Sequence, residues 1–406
     1  MIEPPPGHTA ASPAVRYLSW CDTTGYAAAA KACLRALHGE GVPLTWTPMV
    51  PGARLGPDYA PYEGRAWPEV DLQPLCNRPL DPDVVVMHAP PVHYPSWRER
   101  AHAPGRRFYG YTVFELDRIP PRWVPILNRL DGVMVPCSWN VTTFRASGVT
   151  VPIHVVPHLR PDGGGQGPSE THRSAVRERR GDPRALEGRL VFYTIGTWTT
   201  RKSMDRTVSA FLRAFTVDDR VALVVKTGRL DYTRTRRRLK DGLRRRPGRA
   251  REAVAALRAQ HPRPAPVYVV DDELLPDGEM RALHEVGDVF VSLTRSEGFG
   301  LGAFEAAARG KPVVMTRYGG QLDFLPPTRS WLVDYRMTPL RDPSRWAVFA
   351  HGTTWPEASI EDAVTVLRQI AADPDAARAR AAPLADEIAE RFSTRAVVAA
   401  FRAAVA

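Results

Sequence analysis

Short apolar runs recur along the chain without the alternation of half-exposed strands. In the first part they are VRYLSW (15–20), VVVM (84–87), RRFYGYTVF (106–114), DGVMVP (131–136) and HVVP (154–157). Unbroken runs rich in β-branched residues predict parallel strands buried on both faces. Gly25-Tyr26 and an alanine-rich stretch to about Leu37 follow the first run, so the chain opens as strand, glycine turn, helix. A second series comprises RLVFYTIG (189–196), an amphipathic helix near 203–215, VALVVK (221–226), PVYVV (266–270), DVFVSL (288–293) and KPVVMT (311–316). Alanine-rich helices are expected from about 359 to 406. Between the two series, residues 161–188 are rich in glycine, proline and charge and carry no apolar period, which reads as a linker or surface excursion. The pattern predicts an α/β protein of two doubly wound, Rossmann-like lobes, 1–160 and 189–390, facing a central cleft.

Composition agrees with two buried cores: 406 residues, 44% hydrophobic and 24% charged. The four cysteines, Cys21, Cys33, Cys76 and Cys137, show no paired spacing, so neither a zinc site nor a disulfide framework is expected, and a reducing cytoplasm fits. The first residues lack the basic and apolar regions of a signal peptide, and no stretch has the roughly 20 apolar residues of a membrane span. The net charge of +11 owes much to one run, Arg234 to Arg251, in which ten of eighteen residues are basic. Only Tyr232 adjoins it as an aromatic, so the run reads as a solvated surface rather than a nucleic-acid site, leaving at most weak peripheral contact with a membrane.

The most informative stretch is SEGFGLGAFEAAARGKPVV (296–314). Glu297 follows a strand, then come Gly298, Phe299, Gly300, Leu301 and Gly302, and a helix carries Glu305. Glycines let the backbone approach a ligand and turn its N–H groups inward. A helix N-terminus suits a phosphate, and a carboxylate on that helix can accept hydrogen bonds from vicinal ribose hydroxyls. Glycines alone are a weak signal; two glutamates eight apart bracketing them, followed by GKPVV and Gly319-Gly320, are specific.

This segment closely resembles the Glu-x7-Glu signature of glycosyltransferase family 4, retaining enzymes of GT-B fold. TIGTWTTRKSMDRTVSAFLRAF (194–215) is similar to the family's glycine turn, basic pair and following helix, and RYGGQLDFL (317–325) to its double-glycine loop. GYTVFELDRIPPRW (110–123), DGVMVPCSWN (131–140) and SGVTVPIHVVPH (147–158) resemble pieces of its first lobe. The resemblance implies a metal-independent hexosyltransferase. Its partners would be a nucleotide-sugar donor, with UDP expected ahead of GDP, and a glycan, lipid-linked glycan or small-molecule acceptor. It implies ribose binding by Glu305, donor-sugar contact by Glu297, and a diphosphate held by Lys202 with Arg201. Gly196, Lys226, Gly25 and the backbone of Gly298 to Leu301 complete the expected donor site. The terminal helix, 391–406, would pack back on the first lobe.

The sequence departs from the family where Thr197-Trp198 follow Gly196 in place of an arginine, a role that falls to Arg201 or Lys226. Glu115 stands near the place of a common first-lobe histidine; it either orients an acceptor hydroxyl, balances charge in an oxocarbenium-like transition state, or caps the helix near Pro120. His88, at the end of a strand, is the other first-lobe candidate, as a site residue or a structural one. Aromatics of 46–67 (Trp46, Tyr59, Tyr62, Trp67) either stack on an acceptor or cover the lobe. Asp81-Pro82-Asp83 and Asp373-Pro374-Asp375 read as turns, and Asp271-Asp272 as loop contacts, so no metal or other cofactor is expected. Two rivals remain: a GT-B sugar phosphorylase, and a non-catalytic basic protein associated with nucleic acid or membrane.

Overall fold

The computed structural model describes residues 12–22, 24–51, 59–101, 103–160, 186–233, 248–271, 277–342 and 354–406. Most of the expected linker, most of the basic run, and Asp272 lie outside them. In the first lobe, the strands are β1 (Val15–Trp20), β2 (Leu44–Pro51), β3 (Tyr59–Pro61), β4 (Val84–His88), β5 (Arg107–Tyr111), β6 (Gly132–Val135) and β7 (Ile153–Val155). Their order is β3-β2-β1-β4-β5-β6-β7, and every pairing is parallel except that of β2 with β3. Helices α1 (Gly25–Gly39), α2 (Tyr94–Ala101) and α3 (Ser138–Ala146) connect them. The Thr24 hydroxyl accepts from the Ala27 N–H and starts α1 directly after the first turn.

The second lobe repeats the plan with β8 (Leu190–Ile195), β9 (Val221–Lys226), β10 (Val267–Val270), β11 (Val289–Ser292), β12 (Val313–Thr316) and β13 (Trp331–Val333). They form a wholly parallel sheet in the order β10-β9-β8-β11-β12-β13. Its helices include α4 (Met204–Ala214), α5 (Ala250–Arg258), α6 (Asp277–Val286) and α7 (Leu301–Ala307). In both sheets the order reverses beside the first strand of the lobe. Open α/β sheets bind ligands outside the carboxyl ends of the strands at such a reversal. The loops there are 21–24 and 89–93 in the first lobe, and 196–203 and 293–300 in the second.

The chain ends in α8 (Ile360–Ala372), α9 (Pro374–Ala381), α10 (Leu384–Arg391) and α11 (Thr394–Val405). Side chains of Ser359, Asp373 and Ser393 cap three of these helices. Helix α11 buries Val397, Val398, Phe401 and Val405 in the first-lobe core. Arg107 anchors its end by donating to the Val405 and Ala406 carbonyls.

Two features escape the apolar pattern. Residues 44–51 form β2, a strand that the apolar pattern does not predict. Thr45, Thr47 and Pro48 interrupt the apolar run, and proline argues against a strand interior. The threonines are nonetheless buried because Thr45 donates to the Arg78 carbonyl and Thr47 to Asn77 Oδ1. Trp46 is fully buried, with Trp67 and Tyr62 packed around it, so these three cover the lobe; Tyr59 instead stacks on Trp20.

The second feature is an antiparallel hairpin, β14 (Tyr335–Pro339) with β15 (Thr354–Ala358), between β13 and α8. It reaches back to the first lobe, where Leu340 and Trp355 join the core around Phe114, Ile119 and Trp123. Arg295 lies 4.9 Å over the Trp355 ring, and Glu357 gathers Arg206, Arg295 and Arg336 at 3.5, 3.4 and 3.0 Å. Trp355 is 2% exposed, so truncation leaves a large cavity between the lobes. Trp355→Ala is expected to lower unfolding stability by about 3 kcal/mol. Chemical denaturation checks this; a loss below about 1 kcal/mol would show that the hairpin does not brace the lobes.

Candidate donor site between the lobes

The loop after β8 turns sharply before α4. Ser203 adopts a left-handed conformation (φ +51°), unusual for a residue with a side chain. It is held there by burial, by its N–H bond to the Thr199 carbonyl, and by Arg295, which donates to its hydroxyl at 3.1 Å. The turn presents Arg201 and Lys202 just before the first turn of α4. Gly196 backs this arrangement: the carbons of the Lys202 stem lie at ordinary contact distance from where its Cβ would sit.

After β11 the chain runs through Ser296, Glu297 and the glycine loop into α7. Gly300 caps that helix with φ +94°, a conformation open to glycine. The double-glycine loop packs against the same turn: Gly320 donates to the Glu297 carbonyl at 2.9 Å, and a Cβ on Gly320 would fall within 2.0 Å of the Gly298 carbonyl oxygen. Only a residue without a side chain permits that approach. Gly298 itself lies against Val113 and Phe114 of the first lobe, so it serves the fit between lobes.

Four charged side chains meet where the lobes join. Lys202 Nζ lies 2.6 Å from Glu297 Oε1, and an Arg201 Nη lies 3.2 Å from Glu297 Oε2. Arg201 also reaches across to Glu115 of the first lobe at 3.3 Å. Burial on its own would raise the Glu297 carboxyl, but Lys202 and Arg201 outweigh it and hold the group below the usual carboxylate range. Burial likewise opposes the Arg201 charge, and Glu115 with Glu297 more than restores it. These two cations and two carboxylates balance one another in charge. The expectation that Glu115 caps the helix near Pro120 is not met, because that turn has no side-chain cap. Further contacts close the seam: Cys137 Sγ donates to the Gly298 carbonyl, Ser138 binds Asp323 through both its N–H and its hydroxyl, and the Ser296 hydroxyl donates to the Glu115 carbonyl.

Glu305 sits on α7, four residues past Leu301, and keeps 29% of its side chain exposed. Burial would raise its carboxyl, yet His284 and the nearby Arg309 and Arg281 hold it down. Lys226 ends β9 beside Ile195 with its side chain buried, and Gly25 approaches Leu301 from the first lobe. The Phe299 ring packs into the core with Phe304, Phe324 and His158, which leaves any donor contact to its backbone. His88 is 2% exposed; Tyr17 lies 2.7 Å from its Nδ1, Tyr111 stacks on its face at 4.0 Å, and burial pushes its pKa well below the usual histidine value. The imidazole of His88 is thus enclosed and neutral near pH 7. Burial also takes the neighbouring His158 down to about 3.

The aspartates weighed as metal ligands are engaged elsewhere. Asp81 pairs with Arg106, Asp83 accepts from the Ala14 N–H, Asp271 pairs with Arg251, and Asp373 caps α9. Cys21, Cys33, Cys76 and Cys137 are free thiols, and no described helix is long and apolar enough to cross a membrane.

Two lobes with these strand orders and a charged seam between their carboxyl ends define a GT-B fold. Residues 276–401 match the family model described as "Family 4 Glycosyltransferase in conflict systems". Solved structures similar to the chain share that fold. HepE of Anabaena, solved in complex with UDP and glucose, has 12% identity and a TM-score of 0.63, the match covering 97% of this chain and 99% of that one. Sucrose-phosphate synthase of Thermosynechococcus elongatus has 14% identity and a TM-score of 0.63 over 96% and 97% of the two chains. A glycosyltransferase of Rickettsia africae has 12% identity and a TM-score of 0.64 over 96% of each. No curated protein matches the chain by sequence.

Proposed function

We propose that the chain is a retaining glycosyltransferase that moves a hexose from a nucleoside diphosphate to an acceptor hydroxyl without a metal ion. The observation that carries this reading is the meeting of Arg201, Lys202 and Glu297 beside the N-terminus of α7, with Glu305 on that helix. The diphosphate lies against Lys202 and Arg201, whose charge offsets the negative charge that grows on the departing nucleotide. Glu305 accepts from the ribose hydroxyls. Glu297, released by the cations, turns to hydroxyls of the donor sugar. Glu115 faces the transferred sugar from the acceptor side. UDP is the first candidate base carrier, supported by the HepE complexes with UDP and UDP-glucose, and GDP the second. The acceptor is a glycan, a lipid-linked glycan or a small metabolite.

The test is release of nucleoside diphosphate from a panel of UDP- and GDP-sugars, run with and without a chelator. Release that persists in chelator supports the reading. No release from any nucleotide sugar, with inorganic phosphate instead consumed to form sugar 1-phosphate from a glycoside, would make the protein a phosphorylase.

The neutral charge cluster gives a further expectation. In Glu297→Gln the two cations lose their strongest competitor for phosphate but the sugar contact is weakened. UDP should bind as tightly as to the unmodified protein or more tightly, while transfer falls about 100-fold. Equal losses in affinity and rate would place Glu297 outside this role.

A further inference from the structure

Two polar side chains with no part in the roles assigned so far are buried directly behind Glu305. His284 on α6 and Tyr193 on β8 are both fully buried. His284 Nε2 lies 3.0 Å from Glu305 Oε2, a close contact bent off the N–H axis, and its Nδ1 lies 2.9 Å from the Tyr193 hydroxyl. Gly287, just beyond α6, makes room for this: a Cβ there would fall within 2.2 Å of the Tyr193 ring.

Burial lowers the His284 pKa, though Glu305 opposes the shift, so the imidazole is neutral near pH 7. A neutral imidazole has one donor and one acceptor, and an ionised carboxylate only accepts. The partners therefore assign the proton to Nε2, facing Glu305, with Nδ1 accepting from the Tyr193 hydroxyl. The side chain of Glu305 is thus held from behind at Oε2, while its exposed part stays open to a ligand. Buried polar groups are costly unless paired, and an apolar pair would fill this space with less penalty.

We propose that His284, oriented by Tyr193, is a positioning residue that holds Glu305 toward both ribose hydroxyls and so sets the preference for ribonucleotide over deoxyribonucleotide donors. The inference rests on the reading of Glu305 as the ribose acceptor. A plain packing role for His284 would affect stability but not this preference.

The experiment is calorimetry with UDP and 2′-deoxy-UDP (or the matching GDP pair if GDP binds better) on wild type and three variants. Wild type should prefer the ribonucleotide about tenfold, the worth of one hydrogen bond to a charged group. His284→Leu should reduce the preference to about twofold, and Tyr193→Phe should reduce it partway. His284→Gln, whose amide can still donate toward Glu305, should retain most of it. His284→Leu and Tyr193→Phe should raise KM for the donor more than they lower kcat. Undiminished preference in a folded His284→Leu protein would overturn the proposal. If that variant does not fold, Tyr193→Phe decides, since it removes a single oxygen, and undiminished preference there overturns it equally. A wild type that binds a nucleotide without preferring ribose also overturns it. No binding of UDP or GDP by wild type would instead remove the parent reading.

Discussion

Lys202→Ala is expected to lower the rate of sugar transfer by about 10²- to 10³-fold, the range seen when one preorganised donor to a developing charge is removed. The reasoning is differential. On the proposed reading Lys202 already contacts the bound diphosphate before reaction, and in the transition state negative charge grows on the leaving phosphate and the interaction strengthens. Affinity for UDP should fall less than the rate. Stability should change little, since Glu297 keeps its contact with Arg201 at 3.2 Å and Lys202 is partly exposed. Steady-state rates with a saturating donor check this. A variant within about threefold of wild type would mean that the lysine does not touch the reacting phosphate.

Glu305→Ala should weaken UDP binding by about 100-fold, close to the combined worth of two charge-assisted hydrogen bonds to neighbouring hydroxyls. The loss is read by calorimetry. Melting temperature alone would mislead, because the substitution also removes the carboxylate 3.0 Å from the buried His284 Nε2, which itself changes stability. The informative quantity is the extra stabilisation that UDP confers, which should nearly vanish. A variant that keeps its UDP affinity would remove Glu305 from the ribose.

How far the sequence reveals these groups depends on how local their signals are. The strands of both sheets are legible because parallel strands buried on both faces leave unbroken apolar runs, as at Val84–His88 and Val221–Lys226. The nearness of Glu297 to Arg201 and Lys202 is legible, because each group follows a strand at the same sheet reversal, but their ion pairing is not. What stays hidden is formed by side chains distant in sequence. His284 looks like an ordinary position on an amphipathic helix until the fold sets it between Tyr193 and Glu305, 91 residues from the first. The role of Trp355 depends on crossing to the other lobe, and nothing in TWPEA signals that. Strand β2 is masked because its threonines are satisfied by carbonyl and amide groups of residues 77–78, a compensation with no local trace. His88 illustrates the converse. A strand-end histidine suggests a site residue, but Tyr17 and Tyr111 enclose it.

The glycine loop carries a similar lesson. Glycines after a strand suggest room for a phosphate, yet Gly298 and Gly320 are spent on close approach between loops and lobes. The N-terminus of α7 keeps its capping glycine, Gly300, and the cations come from the neighbouring loop. Packing of 297–300 against 319–320 fixes the backbone at Glu297, so on the proposed reading donor arrival moves side chains only: Arg201 and Lys202 toward the diphosphate and Glu297 toward the sugar.

The most direct measurement is a crystal structure with UDP bound. The account expects the diphosphate within hydrogen-bond reach of Lys202 and Arg201, both drawn off Glu297, and the ribose hydroxyls on Glu305 with His284 still behind it. UDP bound away from the seam between the lobes, or a ribose that leaves Glu305 untouched, would contradict it.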